Sequence, residues 1–96
     1  MEFPEALQVV YRALDLVNEL RAPGDQIPKT PSVRLAGDGG CLDSLALATL
    51  ALAVERDVAT TAGREIVLLG DDDFELNLTF FSTAEDLARL IMQKAA

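Results

Sequence analysis

The helix-breaking residues of this chain are concentrated in one internal stretch, and the segments on either side of it are free to form helices. Three of the four prolines, Pro23, Pro28 and Pro31, lie within residues 22–42, and glycines follow at positions 37, 39 and 40. Proline lacks the backbone donor that a helix interior needs, so the stretch is predicted to be one long connection. Loops longer than about 12–15 residues are uncommon in compact domains and are often functional.

Apolar spacing predicts a first helix over residues 3–21. Its apolar side chains recur every three or four positions, which places them on one face, and further apolar residues widen that stripe. The central stripe is Leu7, Val10, Leu14 and Val17, and it is widened by Val9, Ala13, Leu16 and Leu20. Polar residues are expected to keep the outer face in water; they are Arg12, Asp15, Asn18 and Glu19.

Two more helices are predicted after the long connection. The second starts at Asp43 and runs to about Val58, or as far as Ala62 with Gly63 as its C-cap. The last covers roughly residues 83–94, where Ser82 and Glu85 have capping-box spacing. It is expected to pack through Ala84, Leu87, Leu90 and Ile91.

The remaining segments complete the predicted architecture. Residues 65–69 could be extended, and one helical turn is expected around residues 74–78. Within the long connection, apolar side chains could attach it to the core; these are Ile27, Val33 and Leu35. We therefore predict an all-α fold in a single domain over residues 1–96, a small bundle of three main helices plus a short one, with a long first loop.

Composition excludes several functions. The 96 residues include 16 acidic and 8 basic side chains, a net charge of −8, which makes nucleic acid or an anionic membrane an unfavourable partner. There is no histidine, so histidine-based triads and histidine-ligated metal sites are excluded, and we expect no enzyme. The single cysteine forms no disulfide framework. Without a signal peptide or an apolar run of about 20 residues, we expect a cytoplasmic protein with no membrane insertion.

The most informative stretch runs from Leu35 to Leu45, where a glycine-rich loop leads to an Asp-Ser pair at a helix start. One interpretation is that Asp43 is only an N-cap and Ser44 its neighbour. The other is that Ser44 carries a phosphoryl group, because backbone N–H groups and the helix dipole favour an anion there. In that case Asp43 could orient the serine or help to hold the magnesium ion of a modifying enzyme.

This stretch resembles the acyl carrier proteins, whose hallmark is Asp-Ser-Leu at the start of the second helix. Here the motif is Asp43-Ser44-Leu45, and the resemblance continues at positions 50, 54 and 55 and over residues 81–91. It implies that a phosphopantetheinyl transferase attaches 4′-phosphopantetheine to Ser44, with Asp43 and Leu45 as recognition residues. The thiol of that group would carry acyl intermediates between acyl-loading and acyl-transferring enzymes. The protein itself would be a monomer without catalytic residues.

The sequence also departs from typical carriers of fatty acid synthesis. Those line the second helix with carboxylates, whereas the corresponding outward positions here are predicted to be Ala46, Thr49 and Arg56. The glycine-rich loop is more similar to specialised, stand-alone carriers, which implies a dedicated pathway. Leu47 and Ala51 are either a contact face for a partner or residues packed under the long loop.

Other interpretations fit parts of the same sequence. An aminoacyl or peptidyl carrier shares the chemistry and differs only in its cargo, while an unmodified interaction module would keep only the fold. The acidic turn from Asp71 to Asp73 lacks the glycine and the distal glutamate of a calcium loop, so we predict a solvated turn. Cys41 has no basic neighbour to activate its thiol, so we expect an ordinary small apolar residue.

Overall fold

Three α-helices make up most of the described chain. The computed structural model describes residues 2–35, 42–63, 65–66 and 82–95, with the backbone alone at Ser44. Helix α1 is Phe3–Glu19, a 3-10 turn follows at Pro23–Asp25, α2 is Ser44–Thr61 and α3 is Ala84–Lys94. These ranges contain no β-strand, only an isolated antiparallel bridge between Arg34 and Thr83. The all-α bundle with a long first loop is confirmed.

Two of the predicted features fall largely beyond these ranges. The helical turn expected at residues 74–78 lies outside the described residues, and so do residues 67–69 of the expected extended stretch. The first part of that stretch, residues 65–66, has no regular secondary structure, although Ile66 is buried.

Helix α1 packs against both other helices and is the central element of the bundle. Its first turn contains a proline, where no backbone donor is needed, and Glu5, which favours the positive end of the helix dipole. Most of the predicted stripe is buried, and Leu7 is half-buried, but Leu16 and Leu20 are 51% and 81% exposed, which contradicts their assignment to it. Asn18 was expected in water and is instead buried.

Asn18 is buried because it holds the long loop. Its Nδ2 donates to the Ile27 carbonyl at 3.1 Å, and its Oδ1 accepts from the Ile27 N–H at 2.8 Å. The side-chain amide thus pairs with both backbone groups of a residue nine positions along the chain, and Ile27 is itself buried. The predicted attachment of the loop through Ile27 and Leu35 is confirmed, and Val33 packs against the same core.

Helix α2 is bounded as its sequence indicates. Asp43 is the N-cap, and the helix ends at Thr61 before Gly63, which has a φ of +65°. A positive φ is strained for any residue with a Cβ, so glycine is favoured there. The buried face of α2 consists of Leu47, Leu50, Ala51, Val54 and Val58.

The start of α3 is satisfied by the long loop. Thr83, rather than the predicted Ser82, is the N-cap, and its Oγ1 accepts from the Asp86 N–H at 3.1 Å. The first two N–H groups of the helix, on Ala84 and Glu85, have no acceptor within the helix. They donate instead to the carbonyls of Val33 and Pro31, at 3.2 and 2.9 Å. Residues 31–35 therefore lie against the beginning of α3, whose predicted apolar face is buried.

Candidate functional site

Asp43 has a structural role at the start of α2. Its Oδ1 accepts a hydrogen bond from the Ala46 N–H at 2.8 Å, and its extended backbone has φ −82° and ψ 179°. Its carbonyl accepts the first bond of the helix, from the Leu47 N–H at 2.9 Å. Since Asp43 is exposed, its carboxylate remains accessible from outside the protein while it caps the helix.

Ser44 is the first residue of α2, and its side chain lies outside the described part of the structure. In an α-helix, the N–H groups of the first residues have no acceptor within the helix. Asp43 uses the N–H of Ala46, so the N–H groups at positions 44 and 45 are those available to an anion at this end. The 18 residues of α2 add a helix dipole whose positive end lies at the same place.

Leu45 is 78% exposed, although it is a large apolar residue next to the serine. Burial of a leucine side chain stabilises a protein by about 1.5–3 kcal/mol, and the fold of this chain does not obtain that stabilisation from Leu45. The apolar residues on either side differ, since Leu47 is buried and Leu42 is half-buried. The structure therefore exposes both predicted recognition residues, Asp43 and Leu45, and places them on either side of the Ser44 backbone.

The two ends of the glycine-rich segment are joined by a hydrogen bond. The Leu42 N–H donates to the Leu35 carbonyl at 3.0 Å, and the Leu35 N–H donates to the Ser82 carbonyl at 2.7 Å. Leu35 is fully buried, so it fixes the approach to α2 and links that approach to the start of α3. Residues 36–41 between these ends, including Cys41, lie outside the described residues.

Of the two alternatives for Leu47 and Ala51, the contact face is wrong, and both residues are packed inside the protein. Leu47 and Ala51 are 4% and 0% exposed, because they belong to the stripe that faces α1 and the core. The exposed leucines of α2 are Leu45 and Leu52, seven positions apart. Of the outward residues that we predicted, Arg56 is exposed, whereas Ala46 and Thr49 are half-buried.

Sequence reasoning missed a groove between α1 and α2, an open cavity of about 660 Å³ that we call the α1–α2 groove. Leu16 and Leu52, which are each about half exposed, both line it. The pattern on α2 could have revealed this surface. Once Leu47, Leu50, Val54 and Val58 are assigned to the core at helical spacing, Leu52 falls outside that stripe.

An ion pair joins the two helices that form the groove. The Arg12 Nε lies 2.7 Å from Asp57 Oδ2, and Nη2 lies 3.2 Å from Oδ1. The hydrogen bond from Arg12, with a further one from Thr61, lowers the pKa of Asp57 below its ordinary value despite partial desolvation. Arg12 therefore compensates one of the two carboxylates of α2.

The other carboxylate of α2, Glu55, has a buried Oε2 with no hydrogen-bond partner in the described part of the chain. Across the described ranges, His, Cys, Asp and Glu side chains form no cluster able to hold a metal ion. The acidic turn from Asp71 to Asp73 lies outside those ranges. No described helix is both long and apolar enough to cross a membrane.

Comparison with known proteins identifies no relative. No family model matches the chain, and no curated protein or solved structure matches it significantly.

Proposed function

We propose that this chain is a carrier protein whose Ser44 is modified with 4′-phosphopantetheine. The thiol of that group would hold acyl intermediates as thioesters and present them to partner enzymes of a dedicated biosynthetic pathway. One observation carries the proposal: in a three-helix bundle, the Asp43-Ser44-Leu45 motif forms the first turn of α2, with Asp43 as N-cap and Leu45 exposed.

The modification would be catalysed by a phosphopantetheinyl transferase, with coenzyme A as the donor. The Ser44 oxygen would attack the phosphorus that carries the pantetheine, forming a serine phosphodiester. The pyrophosphate linkage of coenzyme A would break, releasing adenosine bisphosphate, while the serine proton would pass to a base of the transferase. The phosphodiester would then lie at the N-terminus of α2, where the helix dipole favours its negative charge.

The local structure supports such a substrate in two ways. The hydrogen bonds of Leu35 to Leu42 and to Ser82 fix the approach to α2, so the serine would be presented from a rigid helix start. Asp43 and Leu45 are both exposed beside it and could be contacted by an enzyme. Acyl-loading and acyl-transferring enzymes would be the further partners, and the cytoplasm would be the site of action.

A second candidate is an unmodified interaction module with the same fold. The hydrogen bond from the Ala46 N–H to Asp43 favours it, since capping alone accounts for an aspartate at this position. This candidate predicts that Ser44→Ala retains biological activity. An aminoacyl or peptidyl carrier would share the modification and would differ only in the group that is loaded.

The decisive assay is incubation of the purified protein with coenzyme A and a broad-specificity phosphopantetheinyl transferase, followed by intact-mass measurement. We expect the mass of one phosphopantetheine to be added to the protein and to Ser32→Ala, an exposed serine of the long loop. Ser44→Ala should gain nothing. A known carrier in the same tube confirms that the transferase is active.

Two results would contradict the proposal. One is an unmodified protein in reactions where each of several active transferases modifies the known carrier. The other is an adduct that persists in Ser44→Ala. Circular dichroism of each variant shows whether the helices are retained, so a missing adduct is not confused with unfolding.

A further inference from the structure

We propose that the α1–α2 groove binds an aliphatic carboxylate, with the chain of the ligand on the leucines and its carboxylate on Arg56. The residues that carry the proposal are Arg12, Ala13 and Leu16 of α1 and Leu52, Ala53 and Arg56 of α2. The site does not include Ser44, so the proposal goes beyond the carrier function and does not depend on it.

The apolar part of the groove is exposed to water. Leu16 and Leu52 are 51% and 52% exposed, and the alanines Ala13 and Ala53 pack into the core beside them. Covering these side chains with an aliphatic chain would remove apolar surface from water, which is favourable. Thr49 also lines the groove, and it lies about 10 Å from Arg56 along α2. The groove is therefore long enough to hold an unbranched aliphatic chain of medium length.

The charged residues of the groove indicate which head group the ligand carries at the end of its aliphatic chain. Among the residues that the structure describes, its walls hold two arginines and one carboxylate, Asp57, although the chain has a net charge of −8. Asp57 already accepts hydrogen bonds from Arg12 and from the Thr61 hydroxyl, so the negative charge of Asp57 and the positive charge of Arg12 offset each other. The Thr49 hydroxyl also has an acceptor, the Leu45 carbonyl at 3.0 Å.

Arg56 is the cation that remains. It is exposed, and no carboxylate in the described part of the chain forms an ion pair with it. Glu55 and Glu65 line a separate, smaller recess that Arg56 also borders, yet neither pairs with it. A guanidinium group binds a carboxylate through two parallel hydrogen bonds, which makes an anionic head group the complement of this site.

The test is an NMR titration with octanoate, octanol and octylammonium, three ligands that share a chain and differ in the head group. We expect octanoate to shift the methyl signals of Leu16 and Leu52 and the side-chain signal of Arg56, saturably, with a Kd on the order of 1 mM. Octanol should bind about tenfold more weakly, and octylammonium more weakly still. The Ser44→Ala protein should give the same result, which separates this proposal from the carrier function.

Two variants test the assignment of residues. Arg56→Gln should weaken octanoate about tenfold and leave octanol unchanged, whereas Lys94→Gln, an exposed cation at the end of α3, should change neither. Leu52→Asn should weaken all three ligands, and Leu45→Asn, which alters an exposed leucine outside the groove, should not. These substitutions are at exposed positions, and circular dichroism checks that the fold is retained.

Several outcomes would overturn the proposal. These are an absence of saturable shifts, shifts confined to another surface, equal binding of octanoate and octylammonium, or full binding by Arg56→Gln. Groove signals that shift with protein concentration alone would also overturn it, because a second copy of the chain would then cover the groove.

Discussion

The side chain of Asn18 should contribute more to stability than any other polar group in the described part of the protein. It is 8% exposed and bonds to both the N–H and the carbonyl of Ile27, which is itself only 3% exposed. In Asn18→Ala these two backbone groups lose their partners in a buried environment. Each unsatisfied buried polar group costs about 1–3 kcal/mol, so for the two groups we expect a loss of about 2–6 kcal/mol.

Such a loss is large for a domain of this size, whose total stability is expected to be about 5–15 kcal/mol. Urea unfolding of wild type and Asn18→Ala gives the difference, and hydrogen exchange reports on the Ile27 amide directly. Gln8→Ala, an exposed polar residue of the same helix, is the matched control and should change stability by less than about 0.5 kcal/mol. A loss below about 1 kcal/mol in Asn18→Ala, with the Ile27 amide still protected from exchange, would refute the reasoning.

Three further predictions concern the elements that hold the helices in place. A double-mutant cycle on Arg12 and Asp57 should give a coupling of about 0.5–1 kcal/mol that weakens in high salt, and additive single-mutant effects would contradict it. The pKa of Asp57 in the folded protein is lowered from its ordinary value near 3.8. The ion pair therefore stabilises the fold above that pH, and this stabilisation is lost as the pH falls through the folded pKa. Urea unfolding at a series of acidic pH values measures the loss. Gly63→Ala should lower the unfolding free energy by about 1–2 kcal/mol because of its φ of +65°, whereas Gly24→Ala, also with open space around the added Cβ, should change it little. Asp43→Ala should cost about 1 kcal/mol by removing the cap of α2, and Asp43→Asn, which keeps an acceptor for the Ala46 N–H, should cost only a few tenths in the same assay.

The three helices could be predicted because each carries a local signal. The apolar spacing of α1, the cap at Asp43 and the glycine at position 63 act within a few residues, and the structure confirms them. The predicted apolar stripe on α1 is too wide, because the sequence of a single helix does not show which edge of the stripe faces a neighbouring helix. Leu16 and Leu20 were therefore wrongly assigned to the core.

The errors elsewhere come from contacts between distant segments. Asn18 was expected in water because no local pattern shows that Ile27 would present both of its backbone groups to it. At α3, the carbonyls of Val33 and Pro31 bond to the first donors of the helix, so the helix starts one residue later than the Ser82 cap predicts. On α2, the sequence leaves open whether Leu47 and Ala51 form a contact face or are packed inside, because the position of α1 decides which side of an almost uniformly apolar helix is buried.

Of the candidate site, the sequence predicts the motif and its place at a helix start. The charge pattern farther along α2 could not be predicted, because the ion pair between Arg12 and Asp57 joins residues 45 positions apart. The α1–α2 groove likewise depends on two helices meeting. The position of Leu52 outside the core stripe indicates an exposed apolar residue on α2, but not that α1 lies beside it.

The most direct test of the carrier function is the intact mass of the protein isolated from the cells that produce it naturally, with fragmentation to locate any added group. The proposed function predicts a mass that exceeds the sequence by one phosphopantetheine, bound to Ser44. A protein that is unmodified at Ser44, in cells whose other carriers contain the group, would contradict it.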